Sequence, residues 1–430
     1  MTFDNILPEL KALFLRWDEL LQTCKPILIN RDLNARVRLI VDEKYETGDE
    51  RRLLDQLTSE ILQVLGDKHA YAAERALLFE DDIESERLRA HAFLLAEGMD
   101  GIYVIDRLAT PTDWSQITPI SVKKNRTVFF SIKGGVGRSS AMVAAAWALA
   151  ESGKKVMVLD LDLESPGLSS ALLPEDRRPG FGIADWLVED LLGNGDTILD
   201  NMVAASALSH NGDIWVVPAH GREPGEYIAK LGRAWMPLKT QNGMETWAKR
   251  LGRLLDTLEE RWQPDVVFID SRAGIDEVAS ACLTELGAAN ILLFALSGTQ
   301  TWSGYRILFQ HWHRTGVIRD IRERLQLVGA MLPDLDTAGY FDDLRQEAWN
   351  LFVDELYDEV PAATEGDFWN FDIADDSAPH HPLAIRWHRS FAGLKSLHGR
   401  FNEIDGSEVN AIFGPLIDYI QLQQPGEDDE

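Results

Sequence analysis

The chain has 430 residues, a formal net charge of -28, and 45% hydrophobic and 26% charged residues, the balance of an ordinary globular protein with room for two domains. Such acidity argues against a protein that coats DNA or an anionic lipid surface as a whole. No apolar run approaches the roughly 20 residues of a bilayer helix, Met1-Thr2-Phe3-Asp4-Asn5 has no basic region before an apolar core, and Cys24 and Cys282 stand alone without metal or redox spacing, so a reduced, cytoplasmic setting without a membrane anchor is expected.

In chain order, residues 1–120 read as a small accessory α+β domain. Arg36–Val41 has strand character, and Glu50–Leu65 carries apolar residues at helical spacing (Leu53, Leu54, Leu57, Ile61, Leu62, Leu65). A second helical stretch is expected through Leu88 and Ala90 to Leu95, followed by a strand over Gly101–Asp106. The acidic run Glu80-Asp81-Asp82-Ile83-Glu84 reads as a solvated loop or helix start rather than a metal site. Thr110 to Asn125 has linker chemistry, with the linker proper at 121–126, and Lys123, Lys124 and Arg126 are expected in that solvated stretch.

From residue 127 to 422 strands and helices alternate. The expected strands are Val128–Ile132, Val156–Leu159, Ile214–Val217, Val266–Ile269, Ile291–Leu296 and Leu327–Leu332, several of them continuous apolar runs suited to a parallel sheet buried on both faces. Helices are expected at Met244–Arg261 and Trp302–His313 among others. The pattern predicts an α/β fold, a doubly wound, mostly parallel sheet. Residues 423–430 read as an acidic, disordered tail.

The chemistry concentrates at Lys133-Gly134-Gly135-Val136-Gly137-Arg138-Ser139-Ser140, between an apolar strand and the helix-like run Ala141–Ala150. Glycines let backbone N–H groups converge on phosphate oxygens, and a helix N-terminus adds positive potential there. Ser139 follows the basic residue, where a phosphate-binding loop places its Mg²⁺ ligand. Three further segments follow in order: Leu159-Asp160-Leu161-Asp162, with two carboxylates at a strand end; Val266–Asp270 continuing to Ser271-Arg272-Ala273-Gly274, with the arrangement of a Walker B aspartate and a glycine N–H near a γ-phosphate; and Ile291–Leu296 with the turn Ser297–Gln300.

With these residues the chain resembles the ParA/MinD ATPases, whose deviant Walker A motif reads Lys-Gly-Gly-Val-Gly, and within them the KGGVGR variant subgroup. The resemblance spans residues 126–420. It implies ATP and Mg²⁺ as cofactors and an ATP-dependent homodimer that sandwiches the nucleotide. Carried over, Lys133 is the signature lysine reaching the partner's ATP, Arg138 the in-subunit phosphate contact and Ser139 the metal ligand. Asp162 positions the hydrolytic water, and Asp160 and Asp270 lie on the metal shell. Arg138 stands where the family has lysine, and Ser271-Arg272-Ala273 replaces a proline-containing switch II, leaving Arg272 open to a phosphate contact, a partner contact or an ion pair with Asp276 or Glu277.

The resulting expectation is a bacterial, slowly hydrolysing nucleotide switch acting on a protein partner through the accessory domain, with nucleic acid and membrane disfavoured. The alternatives are a nucleotide-binding pseudo-ATPase scaffold, a ligase or small-molecule kinase, and a DNA-associated partition-type ATPase. Base recognition is poorly marked: Pro333, Asp334 and Asp336, or a later loop Pro379-His380-His381-Pro382, lie where base-contacting loops of this fold are expected, and neither discriminates adenine from guanine. His311 and His313, two apart on a helix, point to different sides and are not read as a metal site. Trp235, Trp247, Trp262 and Trp302 are read as packing residues.

Overall fold

The computed structural model describes residues 1–110, 113–208, 211–241, 243–361, 366, 368–388 and 406–423; the acidic tail from residue 424 onward lies outside them. The chain forms two compact units, Met1–Ser115 with Arg314–Val317, and Gln116–His313 with Ile318–Glu430. No helix among the described residues is long and apolar enough to cross a membrane.

In the smaller unit, β1 (Ile27–Arg31), β2 (Val37–Asp42), β3 (Leu77–Glu80), β4 (Phe93–Leu94) and β5 (Ile102–Asp106) form a sheet in the order β3-β2-β1-β5-β4. β1 pairs antiparallel with β2 and parallel with β5. The helix Asp49–Leu65 lays Leu54, Leu57, Ile61 and Leu65 into the core with Ile29, Leu39 and Val104. Asp82 caps a short helix, Ile83–Arg89, by accepting from the Ser85 N–H at 3.0 Å, so the acidic run is a helix start. The helix expected to reach Leu95 instead stops there. His91 turns to φ 49°, and Phe93 and Leu94 pair with Val104 and Tyr103, because backbone groups beside an open sheet edge gain more from the ladder than from another helical turn.

The larger unit is built on β6 (Arg126–Ser131), β7 (Lys155–Asp160), β8 (Ala204–Ala205), β9 (Asp213–Val217), a separate hairpin of β10 (Leu238–Thr240) and β11 (Gly243–Glu245), β12 (Val266–Asp270), β13 (Asn290–Ala295), β14 (Leu325–Leu332) and β15 (Leu383–Arg386). Its sheet runs β15-β14-β13-β6-β12-β7-β9-β8, parallel except where β8 meets β9. β6, β12 and β13 are buried along their whole length, which is why each holds an apolar run, Val128–Phe130, Val266–Ile269 and Ile291–Ala295. The chain leaves β6 toward β7 on one side and later fills the other side with β13 and β14, so β6 stands at the point where strand order reverses. Ligands bind in the crevice beyond the carboxyl ends at such a point.

Arg126 departs from its expected place in a solvated linker. It is 5% exposed, its guanidinium is paired with Glu259 at 2.7 Å and also with Asp256, and it donates to the Leu286 carbonyl at 2.8 Å. The preceding stretch is held to this unit as well, through Thr118 N–H to Thr284 and Ser121 N–H to Gly287 carbonyls. Arg250, fully buried on the helix Trp247–Trp262, bonds Asp190 at 2.7 Å, and Arg253 adds a second contact to the same carboxylate at 3.0 Å. Burial alone would raise the Asp190 carboxyl, and the two guanidinium groups hold it below the usual range instead. Trp247 is fully buried with Trp235 edge-on at 4.8 Å, a packing role.

Candidate nucleotide site

β6 ends at Ser131, and the chain turns through Ile132–Gly137 into the helix Arg138–Glu151. The turn requires left-handed backbone at Gly135 (φ 75°) and Gly137 (φ 80°), a conformation that side-chain-bearing residues rarely adopt. Val136 is buried and pins the loop, while Lys133, Gly134 and Gly135 are exposed. The loop borders a cavity of about 500 Å³ that Gly134 to Ser140 line on one side, a volume within the usual range for a small-molecule site. Asp162 and Ala273 lie along the same cavity, and Met331, Ile385, Arg386, Trp387, His388 and Phe413 complete its lining.

The carboxylates gather because the sheet register makes them neighbours. Asp270 pairs directly with Asp160 across β12 and β7 and with Phe129 on β6. Asp270 is 1% exposed, accepts from Arg138 Nε at 2.7 Å through Oδ1, and from the Ser139 hydroxyl at 3.0 Å through Oδ2. Arg138 also donates from Nη1 to Ser131 Oγ at 2.9 Å, and its Nη2 lies 3.9 Å from Asp162 Oδ2. The guanidinium expected at a phosphate is therefore turned onto the two loop acids.

Asp160 is fully buried; Oδ2 accepts from the Ser169 hydroxyl at 2.9 Å, and Oδ1 has no hydrogen-bond partner. Burial, then the nearby Asp270 charge, pushes its carboxyl up to about 7 against the opposing Ser169 bonds. The Asp162 carboxyl is raised as well, chiefly by burial, with Arg138 opposing. An orphaned buried oxygen beside a second carboxylate and a hydroxyl is an all-oxygen donor set that fits a hard cation such as Mg²⁺. Among the described residues no three His, Cys, Asp or Glu side chains converge into a cage.

Arg272 joins the two loops, pairing with Glu164 at 2.7 Å and Asp276 at 3.1 Å. The ion-pair reading with Asp276 thus holds, and Glu164 is an addition. Gly274 (φ 98°) donates its N–H to the Ser131 carbonyl at 2.9 Å, so in this conformation that donor is not offered to a phosphate.

The residues expected to meet the base do not line the cavity. Pro333, Asp334 and Asp336 follow β14 outside it, and His380 is wholly buried with its Nδ1 at 2.5 Å from the Tyr357 hydroxyl. The wall is instead β15 with the two residues after it. No sequence signal marked that four-residue strand.

The profile of the ParA-type family described as NUBPL iron-transfer P-loop NTPase matches residues 122–185. Over 56 residues the chain is 50% identical to an iron-sulfur cluster carrier protein of Salmonella typhimurium, covering 13% of this chain and 15% of that one. Over 64 residues it is 42% identical to the cytosolic Fe-S cluster assembly factor CFD1 of Yarrowia lipolytica, covering 15% and 22%. The chain thus spans less than a quarter of the length of either relative. Among solved structures, pNOB8 ParA aligns over 70% of this chain and 98% of its own with TM-score 0.43 and 15% identity. A ParA family ATPase of Chlorobium tepidum aligns over 69% and 99% with TM-score 0.40 and 16% identity. The family match is laid over the phosphate-binding loop at the reversal point of the parallel sheet, so residues 122–185 are similar to a ParA-type P-loop NTPase.

Proposed function

We propose that this protein is a Mg·ATP-dependent dimerisation switch that hydrolyses ATP slowly and acts on a protein partner through its N-terminal unit in the cytoplasm. What supports this reading is the cavity lined by the phosphate-binding loop, Ser139 and Asp162, with Asp270 buried behind it and accepting from the Ser139 hydroxyl at 3.0 Å. Backbone N–H groups of Gly134 to Ser139 would take the phosphate oxygens, helped by the helix N-terminus. Mg²⁺, when bound, supplies charge neutralisation on those oxygens, and Ser139 with Asp160 and Asp270 would hold it or its waters. Arg138 would exchange Asp270 for phosphate, and a guanidinium can grip two phosphate oxygens at once. Asp162 would then orient the attacking water. Lys133, exposed on the rim, is free to reach a second subunit's nucleotide.

The test is molar mass by light scattering, with and without Mg·ATP, for wild type, Lys133→Ala and Asp162→Ala. Mass that doubles with ATP in wild type and Asp162→Ala but not in Lys133→Ala supports the switch. Mass indifferent to ATP in all three sinks it.

One observation favours a second reading, a pseudo-ATPase scaffold: Arg138 already has Asp270 and Ser131 as partners and needs no phosphate to be satisfied. Turnover no higher than that of Asp162→Ala would select it. The matched relatives are named for iron-sulfur clusters, but cluster transfer is not part of this proposal. The chain has 2 cysteines, both buried, one in each unit, whereas clusters are ordinarily held by four thiolates. A role on DNA must contend with the net charge of -28.

A further inference from the structure

The cavity lining contributed by β15 and the residues after it includes an aromatic side chain that phosphate binding does not explain. Trp387 is 39% exposed, and among the described residues it is the one tryptophan in the exposed class; the others are buried or half-buried. This exposed ring lies on the cavity rather than on an outer face. Its backbone is fixed, since the Trp387 N–H donates to the Leu332 carbonyl at 2.8 Å, continuing the pairing in which Arg386 sits opposite Leu332. Next to it, His388 Nδ1 lies 3.8 Å from Glu408 Oε1 on the helix Gly406–Leu422. Phe413 of that helix, 3% exposed, also lines the cavity. An aromatic residue fixed by its main chain is thus partly exposed on the cavity.

The span is right for a nucleotide. β15 is three strands from β6, about 14 Å at the usual strand spacing, and an extended nucleoside triphosphate bridges a distance of that order. Met331 fills the ground between: its Cγ would lie 3.6 Å from a Cβ placed on Gly137. Met331, Ile385 and Phe413 give this part of the lining apolar surface suited to a ribose and base, with Arg386 and His388 as its polar members.

We propose that Trp387 is the base-stacking residue of this site, so that the ligand class is a nucleoside triphosphate whose base is bound by ring stacking and not by edge recognition. The assignment rests on the nucleotide-binding reading above. Stacking uses a face that every base possesses, so it adds affinity without choosing adenine over guanine. Trp387 is a specificity residue in that limited sense: it separates nucleotides from bare polyphosphates.

The experiment is calorimetric titration of the full chain with Mg²⁺ and ATP, GTP or inorganic tripolyphosphate, for wild type, Trp387→Ala and Trp387→Phe, with circular dichroism melting as the check on folding. Expected is an ATP and GTP loss of about 5- to 100-fold in Trp387→Ala, tripolyphosphate affinity unchanged within about twofold, and Trp387→Phe near wild type. If Trp387→Ala leaves ATP binding intact, or weakens tripolyphosphate as much as ATP, the stacking role is overturned while the phosphate site stands. If wild type binds neither ATP nor tripolyphosphate, the nucleotide reading itself falls and this assignment with it.

Discussion

Replacing Arg138 by alanine isolates the contact on which the closed arrangement of the loop acids depends. In wild type the Arg138 side chain is 8% exposed and the Asp270 side chain 2%, so little solvent is at hand to replace either partner. Removing one member of such a buried pair costs about 3–5 kcal/mol, because the other charge is left uncompensated. Here the penalty is sharpened by Asp160, the cross-strand neighbour of Asp270, whose carboxyl is already pushed up to about 7. Without Arg138 the two acids are best accommodated by sharing a proton. The loss should therefore be large at pH 8 and smaller at pH 5, where that proton is readily available. Arg138→Lys keeps the charge but presents one ammonium where the guanidinium serves Asp270 and Ser131 together, so about 1–2 kcal/mol is expected. Arg138→Ala with Asp270→Asn removes both charges and should recover most of the single-mutant loss. Urea unfolding at the two pH values, followed by tryptophan fluorescence, measures all four proteins. A single-mutant loss that neither shrinks at pH 5 nor is repaired by Asp270→Asn would refute the buried-pair account.

Three further outcomes are expected. Asp160 has a folded-state pKa raised above its unfolded value near 3.8, so the wild type loses stability as pH rises from about 4 to 7 and loses no more beyond it. Asp160→Asn should gain on wild type across that window by up to about 4 kcal/mol, and a difference independent of pH would contradict the raised carboxyl. Arg272→Ala, losing partly exposed pairs to Glu164 and Asp276, should change stability by under about 1 kcal/mol, yet lower turnover about tenfold or more if the two loops must move together; unchanged kcat would make the pair merely structural. Finally, anaerobic iron-sulfur reconstitution should leave the chain without a cluster absorption band or stoichiometric iron, since burial pushes the Cys24 thiol up to about 11 and that of Cys282 higher still. Stoichiometric iron would bring cluster carriage back into consideration.

What could be read from the sequence divides along one physical line. Strands such as Val266–Asp270 and Asn290–Ala295 are buried on both faces, so their apolar runs announce them directly. The glycines at 135 and 137 were equally legible, because only a left-handed turn explains them between a strand and a helix. The short edge strands were not. Phe93–Leu94 and Leu383–Arg386 are defined by the neighbour they pair with, and two to four residues carry no periodicity of their own. The same reasoning covers the site. Ser139, Asp160 and Asp270 could be placed together because each ends or begins an element whose position the fold dictates. That the Arg138 guanidinium pairs with Asp270 depends on which partner a flexible side chain finds in the folded site, and spacing is silent on that choice. Trp387 escaped for a related reason: a lone tryptophan after a four-residue strand is statistically a packing residue. Only the register of β15 on β14, which ties its N–H to Leu332, turns it toward the phosphate loop instead. Local chemistry thus marks where phosphate can bind, while the far wall that meets the rest of the ligand is assembled by long-range pairing.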